Sequence, residues 1–599
     1  MLDADLFSER GSDPAAFADQ PPRVLSVHGA TTQVGLTAQY LKHLEDSPPT
    51  VGKFLGIRRG KSLLIGMITE VTIEMPAAGR EQGYHATARL DLLGEILDAD
   101  SGQARFQRGV TNYPAIGDPA ALMTSRELRL IYDISGADTI NIGSLHQDPT
   151  IGAYVAVDEM LHKHFAVLGA TGVGKSSGVV LILQQIMKAR PELRIFLLDG
   201  HNEYGRCFGD RAHVLNPGNL KLPFWLFNFE ELVDVIFGAR PGVDEEIAIL
   251  QETIPLAKVM YTQSRTPSDR LIVRKNDPKS TGFTVDTPVP YRLDDLLGMI
   301  DDLMGKLENR SSRLKYFKLL TRIETVRNDP RYTFMFDNAN VGGDTMAEVL
   351  RQLFRLQPGG KSMTVMQLAG FPVEVVDSVV SVLCRMAFDF GLWSDGAVPL
   401  LFVCEEAHRY ASADRSIGFG PTRRALSRIA KEGRKYGVFL ALVTQRPAEL
   451  DATIISQCST LFAMRMANDR DQALLRSAVS DAAANLLAFI SSLGTREVLA
   501  FGEGVALPSR LRFAELAADQ IPSSEAVSHG GLNVRNGSDD FIDVAIARWR
   551  GATMSTKQYA EAATQDAGAP PVAAATATRL DPERYKLLKK PPDLRPREG

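Results

Sequence analysis

The sequence predicts an α/β protein in which a small antiparallel β-barrel precedes a parallel sheet with helices on both faces. Two patterns along the 599 residues indicate this architecture. Between residues 23 and 150, short alternating runs are broken by Gly, Pro and Asp, which is typical of antiparallel strands joined by turns. From His164 onward, compact apolar runs alternate with helical patterns, as expected where helices cover both faces of a sheet.

The β-barrel domain, residues 23–150, is predicted from five strand candidates. They are RVLSVHG, SLLIGMITEVTIEM, HATARLDLLGEIL, ELRLIYD and TINIGSL. Each contains alternating or β-branched residues, the composition that fits a pleated and half-buried surface. Residues 1–22 are predicted to be an N-terminal extension that precedes this domain.

The second region is predicted to be an α/β core in two parts, residues 151–219 and 337–520. Its strand candidates after the first are RIFLLDG, SMTVMQLAG, VPLLFVCEE, GVFLALVTQ and STLFAMRM, and REVLAFGEGVALPSRLRFAEL predicts two more strands. Residues 220–336 interrupt the core with apolar residues at helical spacing, which indicates a helical insertion. Residues 521–599 are predicted to be a linker and a basic C-terminal tail that becomes ordered on a partner.

Composition excludes several classes of protein. A net charge of −5 does not fit a chain that coats nucleic acid through bulk basicity, so a polyanion site must be local. The four cysteines lie far apart without paired spacing, which argues against a zinc site and a disulfide framework. No apolar segment approaches the ~20 residues of a bilayer span, and the acidic start is unlike a signal peptide. We therefore expect a cytoplasmic protein with no membrane role.

The segment HFAVLGATGVGKSSGVVLILQQIM places a glycine-rich turn between a predicted strand and a predicted helix. It fits the pattern G-x-x-x-x-G-K-[ST], in which backbone N–H groups cradle nucleotide phosphates, the lysine adds positive charge and the following hydroxyl binds Mg²⁺. The alternative is a strand-to-helix turn without a ligand. The predicted nucleotide-binding residues are Gly169, Thr171, Gly172, Val173, Gly174, Lys175, Ser176 and Ser177.

Hydrolysis requires a carboxylate for the metal and another group that orients the attacking water. Glu405 and Glu406 follow the apolar run PLLFVC, so both lie where a buried strand ends. We assign Glu405 to Mg²⁺, together with Ser176, and Glu406 to the attacking water. The alternative is two solvated glutamates at a strand end. Aspartate is the common residue at the first position, so Glu405 is unusual.

Two further polar residues are candidates for the same reaction. Gln445 ends the run GVFLALVTQ, and if this strand lies between the P-loop strand and the glutamate strand, its amide can detect the γ-phosphate. An amide that caps the turn before Pro447 is the alternative. Arg434 lies near the end of the basic helix PTRRALSRIAKEGRKYG, in which Arg424, Arg428, Lys431 and Lys435 share one face. This helix either presents a solvated basic face or delivers Arg434 across a subunit boundary to the γ-phosphate.

With these segments in this order, the chain resembles the HerA family of hexameric DNA translocases, which are related to FtsK motors. The resemblance extends from the barrel to about Leu516. It rests on LHKHFAVLGATGVGKS, LLDGHNEYG, LFVCEEAHR, RIAKEGRKYG and TQRP. Departures are Glu405 and Asn202, where the family more often has aspartate and glycine, and the first of these affects the metal geometry.

The resemblance implies a RecA/FtsK-like core with a HAS-barrel-like N-terminal domain. It also implies a homo-hexamer around double-stranded DNA, with ATP and Mg²⁺ bound between neighbours. Glu405 and Glu406 would be the Walker B pair, Gln445 the sensor and Arg434 the arginine acting at the boundary, while Lys163 would face a neighbour's nucleotide. The barrel would dock a partner nuclease, as in HerA–NurA, or a Sir2-like or nuclease effector of anti-phage defence. The tail would latch onto the adjacent subunit.

The sequence leaves other functions open. An ATP-dependent scaffold that assembles and activates an effector with little translocation would need the same nucleotide site. A motor for a conjugation channel would share the core, although such motors usually work at a membrane. For DNA contacts, the loop ASADRSIGFGPTRR offers Arg415, Arg423 and Arg424 as pore residues, and an ordinary surface loop is the alternative.

Overall fold

The computed structural model of the chain describes most of the barrel and the core. The described residues are 21–44, 48–73, 84–99, 104–133, 138–238, 240–265, 282–337, 343–357, 360–416, 418–479 and 484–523. Apart from 21–22 and 521–523, the predicted N-terminal extension, linker and tail lie outside these ranges. Within the described part of the chain, no helix is both long enough and apolar enough to cross a bilayer.

The N-terminal sheet is antiparallel and ordered β1-β2-β5-β4-β3-β7, with β6 paired to β5. Backbone hydrogen bonds from Val24 to Asp118 (3.0 Å) and from Ala120 to Pro22 (2.9 Å) bring its first and last strands together. The predicted antiparallel barrel is therefore present. Its elements are β1 (Arg23–His28), β2 (Thr31–Leu36), α1 (Ala38–His43), β3 (Phe54–Arg59), β4 (Ser62–Thr72), β5 (Ala86–Leu97), β6 (Arg105–Arg108) and β7 (Ala120–Leu122).

The prediction of a strand for the segment ELRLIYD is wrong, because this segment lies in the helix α2 (Ser125–Tyr132). A capping box starts this helix, because Thr124 accepts from the N–H of Glu127 while the Glu127 carboxylate accepts from the N–H of Thr124. The helix buries Leu128, Ile131 and Tyr132 on one face. The apolar residues of an eight-residue segment can fit both the helical and the strand spacing, and the cap at Thr124 decides in favour of the helix.

The core sheet has eleven strands in the order β12-β13-β11-β14-β15-β10-β16-β17-β18-β8-β9. The strands from β12 to β16 are parallel, as predicted. The N-terminal part of the core contains β8 (Thr139–Leu145), β9 (Gly152–Ala156), α3 (Val157–His162), β10 (Phe165–Leu168), α4 (Lys175–Ala189), β11 (Arg194–Asp199) and β12 (Ala212–Leu215). The C-terminal part contains β13 (Met363–Gln367), α11 (Val373–Trp393), β14 (Leu400–Glu405), α12 (Ala407–Tyr410), α13 (Gly420–Glu432), β15 (Val438–Thr444), α14 (Ala452–Ile455), β16 (Thr460–Ala463), α15 (Asp469–Ala478), β17 (Glu497–Gly502) and β18 (Ser509–Phe513).

Strand β8 contains the predicted run TINIGSL, but it belongs to the core sheet and not to the barrel. It pairs antiparallel with β18 and with β9. The strand extends the core at its far edge, so we move the start of the core from residue 151 to the beginning of β8. The barrel also contacts the core directly: Arg108 donates to the carbonyls of Gly502 and Ala506, each at 2.8 Å.

The predicted helical segments between residues 220 and 336 are helices. They are α5 (Phe229–Phe237), α6 (Asp244–Arg265), α7 (Leu293–Gly305), α8 (Arg310–Arg327) and α9 (Thr333–Phe336), followed by α10 (Met346–Phe354). A buried ion pair fixes them to the core, because Glu231 of α5 accepts from Arg385 of α11 at 2.8 Å and from the Ser381 hydroxyl at 2.7 Å. We therefore propose that these helices form an insertion seated on α11.

Candidate nucleotide site

The loop between β10 and α4 has the backbone that a phosphate cradle requires. Gly172 and Gly174 have φ values of +78° and +93°, a left-handed region in which only glycine avoids strain. A Cβ at Gly169 would lie 2.8 Å from the Cβ of Met464. No side chain caps the first turn of α4, so its N–H groups and the positive end of its dipole are available to an anion.

The side chains of this loop meet polar groups from three other strands. Lys175 is buried, and its Nζ lies 3.9 Å from Oε1 of Glu406. The Ser176 hydroxyl donates to Glu203 at 3.2 Å, beyond the end of β11. The hydroxyl of Thr171 donates to the side-chain carbonyl of Gln445, just after β15. The structure thus brings Lys175, Ser176 and Gln445 together at the edge of the sheet formed by the carboxyl ends of its parallel strands. Ser177 lies in the first turn of α4.

Glu405 is the last residue of β14 and is only 2% exposed. Its Oε1 accepts a 2.9 Å hydrogen bond from the Tyr204 hydroxyl. Burial raises the pKa of Glu405 to about 8, and the positive charge of Lys175 opposes this increase. In the absence of a cation, the carboxyl group is therefore largely protonated at neutral pH.

Glu406 has a left-handed backbone with φ of +50°, which is uncommon for a residue other than glycine. This conformation directs the carboxylate toward the P-loop and two imidazoles. Its Oε1 lies 3.6 Å from Nε2 of His201, and its Oε2 lies 3.2 Å from Nδ1 of His408. Nδ1 of His408 is also 3.0 Å from the Thr444 hydroxyl, and burial lowers the pKa of this histidine. Strain of this kind concentrates at functional sites.

The residues at this edge fit a magnesium–nucleotide complex. Oε2 of Glu405 is buried and lacks a hydrogen-bond partner in the described part of the chain, and Oε2 of Glu406 is buried with Nδ1 of His408 at 3.2 Å as its charged neighbour. Buried carboxylate oxygens without partners are costly, and Mg²⁺ prefers such oxygens and the Ser176 hydroxyl as ligands. Within the described ranges, no cluster of three or more His, Cys, Asp or Glu could hold a metal. A cation here would therefore need nucleotide phosphates to complete its shell.

Arg434 and Lys163 lie at the opposite edge of the same sheet, where the parallel strands begin. Arg434 is in a single turn that precedes β15, and Lys163 immediately precedes the β10 segment. Both are exposed, and Lys163 forms an ion pair with Glu503 at 2.5 Å. They lie close together because they precede β10 and β15, which pair directly in the sheet.

The length of β15 separates Arg434 from the P-loop edge. The seven residues of this strand span about 23 Å at ~3.3 Å per residue. Arg434 therefore does not reach the phosphate site of its own chain.

The basic helix ends earlier than the sequence predicted, and two of its arginines contact other side chains. It ends at Glu432, so Lys435 lies outside it. The guanidinium of Arg428 is 4.1 Å from the ring centroid of Phe388, and Arg424 forms an ion pair with Glu230 of the insertion. Of the proposed pore residues, Arg415 and Arg424 are exposed and Arg423 is half-buried.

The residues of the segment LLDGHNEYG had no predicted role in the reaction. The structure places them within the site: Asp199 accepts from the N–H groups of Glu203 and Tyr204, both at 3.0 Å, and this fixes the turn that carries Tyr204 to Glu405. Asp199 is buried, which raises its pKa. A carboxylate that ends the first buried strand after the P-loop helix in the chain was the signal that could have identified this turn.

Comparison with known proteins gives a consistent set of relatives. A family model described as the central domain of helicase HerA matches residues 140–387. A "Probable helicase" of Methanocaldococcus jannaschii is 25% identical over 498 residues, covering 78% of this chain and 87% of that one. The DNA double-strand break repair helicase HerA of Saccharolobus solfataricus is 26% identical over 500 residues, covering 80% and 89%.

The corresponding HerA of Pyrococcus furiosus is 26% identical over 417 residues, covering 64% of this chain and 70% of that protein. Among solved structures, VirB4 of Thermoanaerobacter pseudethanolicus superposes with a TM-score of 0.41 and 16% identity, covering 64% of this chain and 98% of that one.

Proposed function

The chain belongs to the HerA family of P-loop ATPases, and from this premise we propose that it is a hexameric translocase of double-stranded DNA. The observation that carries the proposal is the division of the predicted residues between two edges of one sheet. Lys175, Glu405 and Glu406 share one edge, while Arg434 and Lys163 share the other. A complete site then requires the edges of two subunits.

In this proposal, Ser176 and Glu405 hold Mg²⁺, which neutralises charge that develops on the phosphates during hydrolysis. With a cation bound there, Glu405 would be held in its ionised form. Glu406 orients the attacking water, because its carboxylate is fixed between Lys175, His201 and His408. Gln445 monitors the γ-phosphate through its hydrogen bond with Thr171 of the P-loop.

The opposite edge completes the site of the next subunit. A head-to-tail contact between the two edges generates a closed ring, and six copies is the number that we propose. Arg434 then stabilises the γ-phosphate of the neighbour and Lys163 faces the same nucleotide. To do so, Lys163 leaves Glu503, and this exposed pair gives little stabilisation to lose.

Double-stranded DNA is the proposed polymer because two of the named relatives are helicases of DNA double-strand break repair. Arg415, Arg423 and Arg424 are the proposed phosphate contacts. The barrel is the proposed platform for a NurA-like nuclease or for a Sir2-like or nuclease defence effector. The second candidate is an ATP-dependent scaffold that activates such an effector with little translocation, since the same nucleotide site serves both.

The first experiment compares ATPase rates with and without linear double-stranded DNA at low and moderate salt. We expect DNA to stimulate the wild-type rate, and we expect the stimulation to fade with salt because phosphate contacts release counterions. Glu406→Gln should abolish turnover, whereas Glu348→Gln, at an exposed position on α10, should not. A wild-type rate that DNA does not change would contradict the translocase.

Glu406→Gln also separates the translocase from the scaffold. The translocase requires hydrolysis, so this variant should form the ring and fail to support the effector. A scaffold needs only bound ATP and should keep full effector activation in the same variant. The measurement is effector activity on DNA with ring assembly verified by mass measurement.

A further inference from the structure

Arg496 contacts the P-loop from the side of β10 that the catalytic carboxylates do not occupy. In the sheet order β14-β15-β10-β16-β17, Glu405 and Gln445 come from strands on one side of β10. Arg496 immediately precedes β17, on the other side. Its backbone N–H donates to the carbonyl of Val173 at 2.9 Å, so it is attached to the centre of the loop.

The side chain of Arg496 lies across Gly174, the residue that starts α4. A Cβ at Gly174 would be 3.3 Å from Cγ of Arg496. The backbone of Arg496 is left-handed, with φ of +65°, and is fixed by the bond to Val173 and by a 2.9 Å bond from the N–H of Phe513 to its carbonyl. A rare backbone held at both its N–H and its carbonyl positions the guanidinium beside the phosphate cradle.

Among the described residues, the guanidinium of Arg496 forms one ion pair, and that pair is weak. Its Nη1 lies 3.4 Å from Oε1 of Glu515, and the Glu515 side chain is 82% exposed. An exposed pair of this kind is easily exchanged for a better one. A phosphate is a better partner, because the planar guanidinium offers parallel donors that match phosphate oxygens.

We propose that Arg496 binds the α-phosphate side of the nucleotide in the same chain whose P-loop holds the β- and γ-phosphates. The inference rests on the proposed nucleotide-binding function. The terminal phosphate faces the edge formed by Glu405, Glu406 and Gln445, so the nucleoside end leaves the cradle toward β16 and β17. Arg496 is the cation beside the path of the nucleoside end. Glu515 pairs with Arg496 until a nucleotide displaces Glu515.

The test uses Arg496→Gly in the full chain, because glycine adopts a φ of +65° without strain and so removes only the side chain. Calorimetric titration with ADP and with a non-hydrolysable ATP analogue gives the affinities. We expect both to weaken about tenfold or more, and by the same factor, since charge-assisted bonds are the strong ones. The affinity of Arg496→Lys should fall between those of wild type and Arg496→Gly. Arg512→Ala, at an exposed position on β18, should bind like wild type.

Unchanged affinity in a variant that melts like wild type would overturn the inference. A loss confined to the ATP analogue would also overturn it, because that pattern indicates a γ-phosphate contact. Should Arg496→Gly be unstable, Glu515→Gln decides: freeing Arg496 should tighten ADP two- to threefold, and weaker ADP binding would contradict the exchange of partners. A wild-type chain that binds neither ligand contradicts the proposed function itself, not only the role of Arg496.

Discussion

The Tyr204 hydroxyl donates a 2.9 Å hydrogen bond to Oε1 of Glu405. The bond joins the turn after β11 to the end of β14, and it leaves Oε2 of Glu405 buried without a partner in the described part of the chain. Glu405 carries one methylene more than the aspartate common at this position. The tyrosine therefore fixes a longer side chain so that one oxygen remains for the cation.

For Tyr204→Phe we expect Mg²⁺-dependent ATPase activity at pH 7.5 to fall about tenfold. The hydroxyl favours the ionised carboxylate, so its loss raises the pKa of Glu405 further above about 8. The pH–rate profile should therefore move to higher pH. The Tyr410 hydroxyl is buried and lacks a partner within the described residues, so Tyr410→Phe is the matched control. Equal profiles for both variants would argue against the role of Tyr204.

The raised pKa of Glu405 also predicts how stability changes with pH when Mg²⁺ is absent. The folded chain holds this proton up to about pH 8, whereas the ordinary value is 4.5. The resulting stabilisation is complete below 4.5 and is lost as pH rises through 8. Relative to Glu405→Gln, the wild-type melting temperature should fall by roughly 2 to 4 °C between pH 5 and 8.5. A constant difference between the two proteins would refute the shift.

Arg434 is expected to act on the neighbour's nucleotide because β15 separates it from its own P-loop. Arg434→Ala and Lys175→Ala should each be inactive alone. When they are mixed, junctions that pair an intact Lys175 with an intact Arg434 should recover ATPase activity. The recovery should peak near equal amounts. No recovery at any ratio, with mixed rings shown by mass, would count against the assignment.

Trp393 should report on ring assembly, because it lies on the same edge as Arg434 with its side chain 83% exposed. It ends α11 between Gly391 and Gly396, and both glycines lie against the backbone of Tyr436. Contact with a neighbour would remove the indole from water. We expect a blue shift of tryptophan emission on assembly that Trp393→Phe abolishes. If assembled wild type and Trp393→Phe show the same change, this edge is not the interface.

Lys258 is buried in α6 and donates to the carbonyls of Thr284, Val285 and Thr287 at 3.1, 2.5 and 2.8 Å. Lys258→Met keeps the length of the side chain and removes the ammonium from all three carbonyls, of which those of Thr284 and Thr287 keep backbone N–H donors. We expect a destabilisation of about 2–3 kcal/mol in the insertion. Hydrogen exchange at residues 284–287 should become faster, while ADP affinity should stay unchanged. Unchanged hydrogen exchange at residues 284–287 would show that water replaces the ammonium of Lys258 without loss of stability.

Local signals predicted much of the site. The P-loop is contiguous from Gly169 to Ser176, and the apolar run before Glu405 identifies the strand that carries it. The position of β15 between β14 and β10, on which the interpretation of Gln445 depended, is confirmed. These features could be predicted because each depends on a few consecutive residues or on the ordered motifs of one family.

Features made by distant residues were not predictable in this way. The Tyr204–Glu405 bond joins positions 201 residues apart. The pairing of β8 with β18 joins Leu145 to Leu511. In α2, propensity did not decide between helix and strand, and the cap formed by Thr124 and Glu127 did. Sequence periodicity does not specify which partner a strand will find.

The pairing of β8 with β18 determines how this protein can be divided. A fragment that starts at residue 151, after the predicted barrel, would remove β8 and leave unpaired those N–H and C=O groups of β18 that face it. An exposed edge of that kind is a template for pairing with other chains and favours aggregation. A fragment that starts at 138 keeps the edge covered. The strand β8, which the sequence assigned to the barrel, is thus a structural part of the core sheet, and a workable expression boundary lies before it.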